Sequence, residues 1–164
     1  MLDPLLVRTA AELLDDLRAR GLRLATVESC TGGLVAGVLT EVAGSSDVFE
    51  CGFVTYSNDA KVQLIGVSRE TLDRYGAVSE AVAREMAAGA LAHSRADIAV
   101  AITGIAGPGG GSRDKPVGLV HMAAKRRDGK ATHEAYRFGD VGRSEVRRLA
   151  VSAALTLVRT LAAR

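Results

Sequence analysis

The chain predicts a three-layer α/β/α sandwich built on a five-stranded mixed sheet, and three observations lead there. Short β-favouring runs alternate with segments of helical periodicity, in the order helix–strand–helix–strand–helices–strand–hairpin–helix. The run Ile98-Ala99-Val100-Ala101-Ile102-Thr103 is nearly all apolar and β-branched, the pattern of a central strand covered on both faces. Asp128-Gly129 lies between two further strand-like runs as a hairpin turn. Right-handed crossovers predict parallel pairing among the first three strands, and the hairpin adds antiparallel pairing. With 164 residues, the natural expectation is one domain over residues 1–164, large enough to bury a substantial core.

Leu2, Leu5, Leu6, Leu13, Leu14 and Leu17 recur at helical spacing and predict an amphipathic helix over residues 4–20, ended by Gly21. An apolar-rich run predicts a strand over residues 22–27 and a helix over 34–42, leaving room between them for only a tight turn. Gly44-Ser45-Ser46-Asp47 is a loop by composition. Residues 49–56 read as a strand. Ser57-Asn58 caps a short helix that carries Lys61 one turn in and ends at Gly66. Ser68 starts another helix that runs through Tyr75 to Gly76. Ser79 and Glu80 open a longer helix reaching about residue 94. Its small residues (Ala81, Ala83, Ala87, Ala88, Gly89, Ala90) suit close approach to a sheet or a partner subunit.

After the central strand at 98–103, residues 104–112 hold five of the 18 glycines, so the backbone there is permissive, closely approached, or both. Strands over 117–124 and 131–138 flank the Asp128-Gly129 turn. The last helix, 143–162, carries Val146, Leu149, Ala150, Ala153, Leu157 and Leu161 as its inner stripe.

Composition excludes several classes of function. Hydrophobic residues at 48% and charged residues at 24% describe an ordinary globular chain, with no run long enough to span a bilayer and no secretory leader pattern, so the expected compartment is the cytoplasm. Cys30 and Cys51 lack metal-ligand spacing, and His93, His121 and His133 are scattered, so no metal site is expected. A net charge of +2 and only 4% aromatic residues give no basis for a nucleic-acid partner. The basic run Lys125-Arg126-Arg127 leads into the hairpin turn and reads as a solvated turn.

Chemistry is expected at the rim formed by the carboxyl ends of the first three strands, where open α/β sheets bind ligands. Ser29 ends the first strand, Tyr56 the second and Thr103 the third. Ser29 has two readings: a nucleophile, or the cap of the helix that follows. No histidine falls at this rim, which argues against a Ser-His-Asp triad. Lys61 is the available base, provided burial depresses its pKa, with Tyr56 to relay the proton or orient the lysine. The amides of Cys30, Thr31, Gly32 and Gly33 are candidates for an oxyanion hole. The glycine loop lacks the ending of a Walker motif, since Lys115 is followed by Pro116, so ATP-driven chemistry is not expected. A bound phosphate held by loop amides and Arg143 fits the pattern better.

Glu28-Ser29-Cys30-Thr31-Gly32-Gly33, Val54-Thr55-Tyr56-Ser57-Asn58-Asp59-Ala60-Lys61, Gly76-Ala77-Val78-Ser79 and Thr103-Gly104-Ile105-Ala106-Gly107-Pro108 stand in this order, followed by Lys115-Pro116-Val117-Gly118. Together they resemble the CinA C-terminal domain family over nearly the whole chain. The resemblance implies sheet order 2-1-3-4-5 with strand 4 antiparallel, and nicotinamide-nucleotide amidohydrolase activity without a cofactor. By this analogy Ser29 attacks the carboxamide of nicotinamide mononucleotide with Lys61 and Tyr56 assisting. Thr31, Gly32, Gly33, Thr103, Gly104, Gly107 and Arg143 would line the substrate site. The chain looks like the stand-alone form of a family whose longer members carry an extra N-terminal domain. A homo-oligomer, most simply a dimer, is expected, with no membrane or nucleic-acid partner. The contrasting expectation is a catalytically silent nucleotide-binding or interaction module of the same fold.

Overall fold

The computed structural model describes residues 2–164. The parallel strands β1 (Leu24–Glu28), β2 (Phe49–Val54) and β3 (Ile98–Gly104) are joined by antiparallel β4 (Leu119–Arg126), which pairs in turn with β5 (Ala131–Arg137). The sheet order is β2-β1-β3-β4-β5, with β4 antiparallel to its neighbours, as the family resemblance implies. Helices α1 (Pro4–Ala19), α2 (Leu34–Thr40) and α6 (Arg143–Ala162) cover one face. Helices α3 (Asn58–Ile65), α4 (Arg69–Tyr75) and α5 (Glu80–Ala92) cover the other.

Strand alternation divides the core by side-chain size. Leu24, Ile98, Val100 and Ile102 point into the α1/α2/α6 layer, where they meet the leucine stripe of α1 and the inner stripe of α6. Ala25, Ala99, Ala101 and Ala123 point the other way, against Ala83, Ala87 and Ala90 of α5. Alanine facing alanine brings α5 close to the sheet. Ala83, Ala87, Gly89 and Ala90 of α5 are therefore consumed by packing within the chain, while Ala81 and Ala88 stay partly exposed. Gly89 belongs to this packing. A methyl group there would collide with the backbone carbonyl of Ile65, so only glycine lets the end of α3 seat against α5. This matters because α3 carries Lys61.

Helix ends follow local chemistry. Asp3 caps α1 by accepting from the Leu5 N–H at 2.9 Å, with Pro4 in the first turn. Ser57 caps α3 by accepting from Ala60 N–H at 3.0 Å, and Gly66 closes the helix at φ 70°.

Strand ends differ from the sequence expectation by up to two residues. β1 begins at Leu24, where its pairing to Phe49 and Ile98 begins. β4 begins at Leu119, since Gly118 turns with φ 89° directly against the Gly139 backbone. β2 ends at Val54, its last pairing partner being Glu28, so Tyr56 lies beyond the strand.

Candidate active site

Parallel pairing places the carboxyl ends of β1, β2 and β3 together, and a cleft of about 220 Å³ opens there. Ser29, Tyr56, Lys61, Thr103, Gly104 and Arg143, all singled out from the sequence, line it together. Cys30, an expected oxyanion candidate, also lines it, with Asn58, Ala77, Val78 and Ala106, which were not singled out; Thr31, Gly32 and Gly33, expected in the lining, are not part of it.

Ser29 continues the alternation of Ala25 and Val27, so its hydroxyl faces the α3 side of the sheet. Its N–H is fixed by the Ile102 carbonyl of β3 at 2.9 Å. Lys61, one turn into α3, is almost wholly buried. Its Nζ donates to the Thr55 carbonyl at 2.7 Å and lies 3.2 Å from Ser29 Oγ. No carboxylate pairs with it among the described residues. Burial without a counter-charge holds the Lys61 amine below the ordinary lysine value, the condition a lysine base requires.

Ser29 is not a helix cap. The residue at the N-cap of α2 is Gly33, at φ 95°, and no side chain there bonds to an amide in the usual capping position. The capping work is done from further back. Glu28, buried at the end of β1, accepts from the N–H groups of Gly33 (3.0 Å), Val35 (3.1 Å) and Ala36 (2.9 Å). The positive φ of Gly32 and Gly33 lets the chain fold back over this carboxylate.

These bonds revise the expected oxyanion hole. Gly33 donates to Glu28, and Gly32 donates to the Ser29 carbonyl at 3.0 Å, so neither has an N–H left for a substrate. Of the other two, Cys30 lines the cleft and its N–H meets no backbone acceptor among the described residues, whereas Thr31 has no exposed surface and lies off the cleft wall. Cys30 itself is no rival nucleophile. Burial pushes its thiol up to about 11, leaving it protonated at neutral pH.

Tyr56 lies where a residue past a strand end turns outward, and it is 61% exposed. Its hydroxyl accepts from Arg143 Nη2 at 3.0 Å, while Arg143 Nη1 donates to the Gly107 carbonyl at 2.9 Å. The bond the structure makes is thus from Tyr56 to Arg143, not to Lys61, and the inward neighbour Thr55 is the residue that holds the lysine. Gly107 contributes a carbonyl to Arg143 and does not line the cleft. Thr103 Oγ1 donates to the Ala77 carbonyl at 2.8 Å, which leaves its oxygen free to accept. Lys115 donates to the Tyr75 carbonyl and ties the glycine loop to the α4–α5 connection.

The model of the CinA C-terminal domain matches residues 7–162. The chain belongs to the CinA C-terminal domain family. This CinA-family chain is 54% identical over 157 residues to the nicotinamide-nucleotide amidohydrolase PncC of Escherichia coli strain K12, covering 94% of this chain and 93% of the relative. It is 52% identical over 122 residues to a protein of the same name from Enterobacter agglomerans, covering 74% of each. Among solved structures, the competence/damage inducible protein CihA from Agrobacterium tumefaciens superposes with a TM-score of 0.96 at 53% identity, covering 98% of both chains.

Two residues of this CinA-family site escaped the sequence reading. Glu28 carried a signal, a charged residue ending an otherwise apolar strand ahead of two glycines. Arg147 lies one helical turn after Arg143 on α6, so the spacing of the two arginines was its only mark.

Proposed function

We propose that the chain hydrolyses the carboxamide of nicotinamide mononucleotide to nicotinate mononucleotide and ammonia, with Ser29 as nucleophile and Lys61 as base. The observation that carries this reading is the buried Lys61 amine, without a counter-charge and 3.2 Å from Ser29 Oγ. The names of close relatives supply the substrate class.

Neutral Lys61 accepts the Ser29 proton as Oγ attacks the carboxamide carbon. The oxygen of the tetrahedral adduct becomes negative and meets the Cys30 amide. Lys61 then gives its proton to the departing nitrogen, and ammonia leaves an ester on Ser29. Water attacks the ester with Lys61 again as base. The carboxylate departs and Ser29 regains its hydrogen. No cofactor enters this sequence.

Arg143 at the mouth takes the phosphate of the nucleotide, and Tyr56 and Gly107 hold its guanidinium in place. The deciding assay follows ammonia release from nicotinamide mononucleotide, with nicotinamide and glutamine as controls. Release from the nucleotide alone supports the reading, and equal rates on free nicotinamide refute the phosphate contact. Arg143→Ala is expected to raise KM for the nucleotide about 10- to 100-fold, the loss of one charge-assisted hydrogen bond. Its kcat is expected to stay within a few-fold of wild type. An unchanged KM would remove Arg143 from the binding site.

A further inference from the structure

Helix α3 turns one stripe inward, and the members of that stripe differ. Lys61 and Ile65 are buried. Asn58 stands one turn before Lys61 on the same stripe, yet it is exposed and lines the cleft. A residue on an inward stripe keeps its exposure only where the opposite wall stands away. Opposite Asn58 that space is the cleft.

The Asn58 side chain has no structural task. Ser57 is the cap of α3, accepting from the Ala60 N–H at 3.0 Å, and the Asn58 carboxamide bonds to no protein group among the described residues. The other strongly polar side chains of the cleft are committed. Ser29 Oγ and Lys61 Nζ meet each other at 3.2 Å. Tyr56 and Arg143 meet at 3.0 Å. Thr103 Oγ1 gives its hydrogen to the Ala77 carbonyl. Asn58 is left as the one such group on the wall that the chain itself does not use.

Its place on α3 selects what it can reach. Asn58 falls between Tyr56 at the mouth and Lys61 beside the nucleophile. Side chains lean toward the N-terminus of their helix, and three residues span about 4.5 Å of axis, so the carboxamide stands on the mouth side of Lys61 by about that rise. On the proposed reading the substrate amide lies at Ser29 and the phosphate at Arg143. The ribose is the part of the nucleotide between them. Its adjacent 2′- and 3′-hydroxyls each donate and accept, and an uncharged carboxamide matches them with an acceptor oxygen and two N–H donors. A phosphate calls for donors alone, and the pyridine ring is better served by the apolar Ala77 and Val78 of the same cleft.

We infer that Asn58 is a specificity-determining residue: its carboxamide hydrogen-bonds the sugar hydroxyls and so favours a ribonucleotide amide over the same amide without the diol. The inference rests on the proposed substrate class but not on Ser29 being the nucleophile.

The test compares wild type and Asn58→Ala on nicotinamide mononucleotide and on its 2′,3′-dideoxyribose analogue. Ammonia release is resolved into kcat and KM for each of the four pairings. Loss of the diol is expected to raise the wild-type KM about 10-fold, the scale of one or two neutral hydrogen bonds. Asn58→Ala is expected to raise KM for nicotinamide mononucleotide by about the same factor, with kcat within about threefold, since the contact is already made in the ground state. On the dideoxy analogue, variant and wild type are expected to agree within about twofold, because the group Asn58 meets is gone. The melting temperature should not move, as the side chain is exposed and bonds to nothing in the fold. A wild type indifferent to the diol, an unchanged KM in the variant, or a rise equal on both substrates overturns the inference. If wild type releases no ammonia from the nucleotide, the proposed reaction falls. The same four pairings are then read as Kd by calorimetry, where the same pattern supports the role of Asn58 and any other overturns it. A wild type that does not bind nicotinamide mononucleotide overturns both.

Discussion

Replacing Ser29 with alanine is expected to lower turnover on nicotinamide mononucleotide by about 10⁴- to 10⁶-fold, the range seen when a serine nucleophile is removed. The attacking atom is lost while the cleft keeps its shape, so affinity for the nucleotide should shift by less than about tenfold. The structure sharpens what should happen to stability. A serine N-cap replaced by alanine costs about 0.5–2 kcal/mol. Ser29 caps nothing, because Gly33 holds that position and Glu28 takes the amides. Its hydroxyl meets only Lys61. The melting temperature of Ser29→Ala is therefore expected to stay within a few degrees of wild type. Ammonia release and thermal melting, measured on the same preparation, check both parts. A folded variant turning over within tenfold of wild type would exclude serine nucleophilic catalysis.

Lys61→Met is expected to lose activity by about 10²- to 10⁴-fold or more, the contribution of a positioned acid–base group. Unlike most losses of a buried hydrogen-bonding residue, this one should not destabilise the fold at neutral pH. The reason lies in linkage. Burial lowers the folded-state pKa of Lys61 beneath its ordinary value. A base depressed in this way contributes its full stability above the unfolded pKa, and that contribution is lost as pH falls through the folded pKa. At neutral pH wild type therefore carries a cost that an apolar side chain of similar length removes, offset in part by the bond lost at the Thr55 carbonyl. The variant is expected to melt at or above wild type near neutrality, with the difference shrinking toward alkaline pH. Wild-type turnover should rise with pH through the same depressed pKa, because only the free amine accepts the Ser29 proton. Calorimetry across pH and a pH–rate profile test the two halves. A lower melting temperature with a flat profile would mean Lys61 serves as a fixed cation.

Much of this was legible in the sequence, and the limits have physical causes. The bounds of α6 were legible from its periodicity but its inner face only in part: Leu149 and Ala153 are half-buried, while Val151, Ala154, Leu155 and Val158 are buried beside the expected Val146, Ala150, Leu157 and Leu161. The junction of Ser29, Lys61 and Thr103 followed from strand order alone, since parallel strands share a rim. What failed was anything set by the last hydrogen bond of a strand. Reading β2 through to Tyr56 set that residue to relay the proton or orient the lysine, whereas pairing stops at Val54 and the Thr55 carbonyl is what accepts from Lys61. Glu28 was missed as a cap because it acts from five residues before the N-cap, outside the reach that capping rules describe. Arg147 was missed because its partners are main-chain carbonyls 116 and 117 residues away, which no periodicity encodes.

The Glu28 carboxylate also decides how the cleft meets dissolved ions. By filling the start of α2 it withdraws those backbone dipoles from any incoming anion, so under the proposed function attraction for a phosphorylated ligand would fall to the guanidinium of Arg143 at the exposed mouth. Charges in contact with solvent are screened over about 8 Å at physiological ionic strength, whereas enclosed dipoles are screened far less. On the proposed function, ligand capture at Arg143 is therefore expected to weaken with added salt, and the proposed step at Ser29, beside the buried Lys61, to be far less sensitive to it.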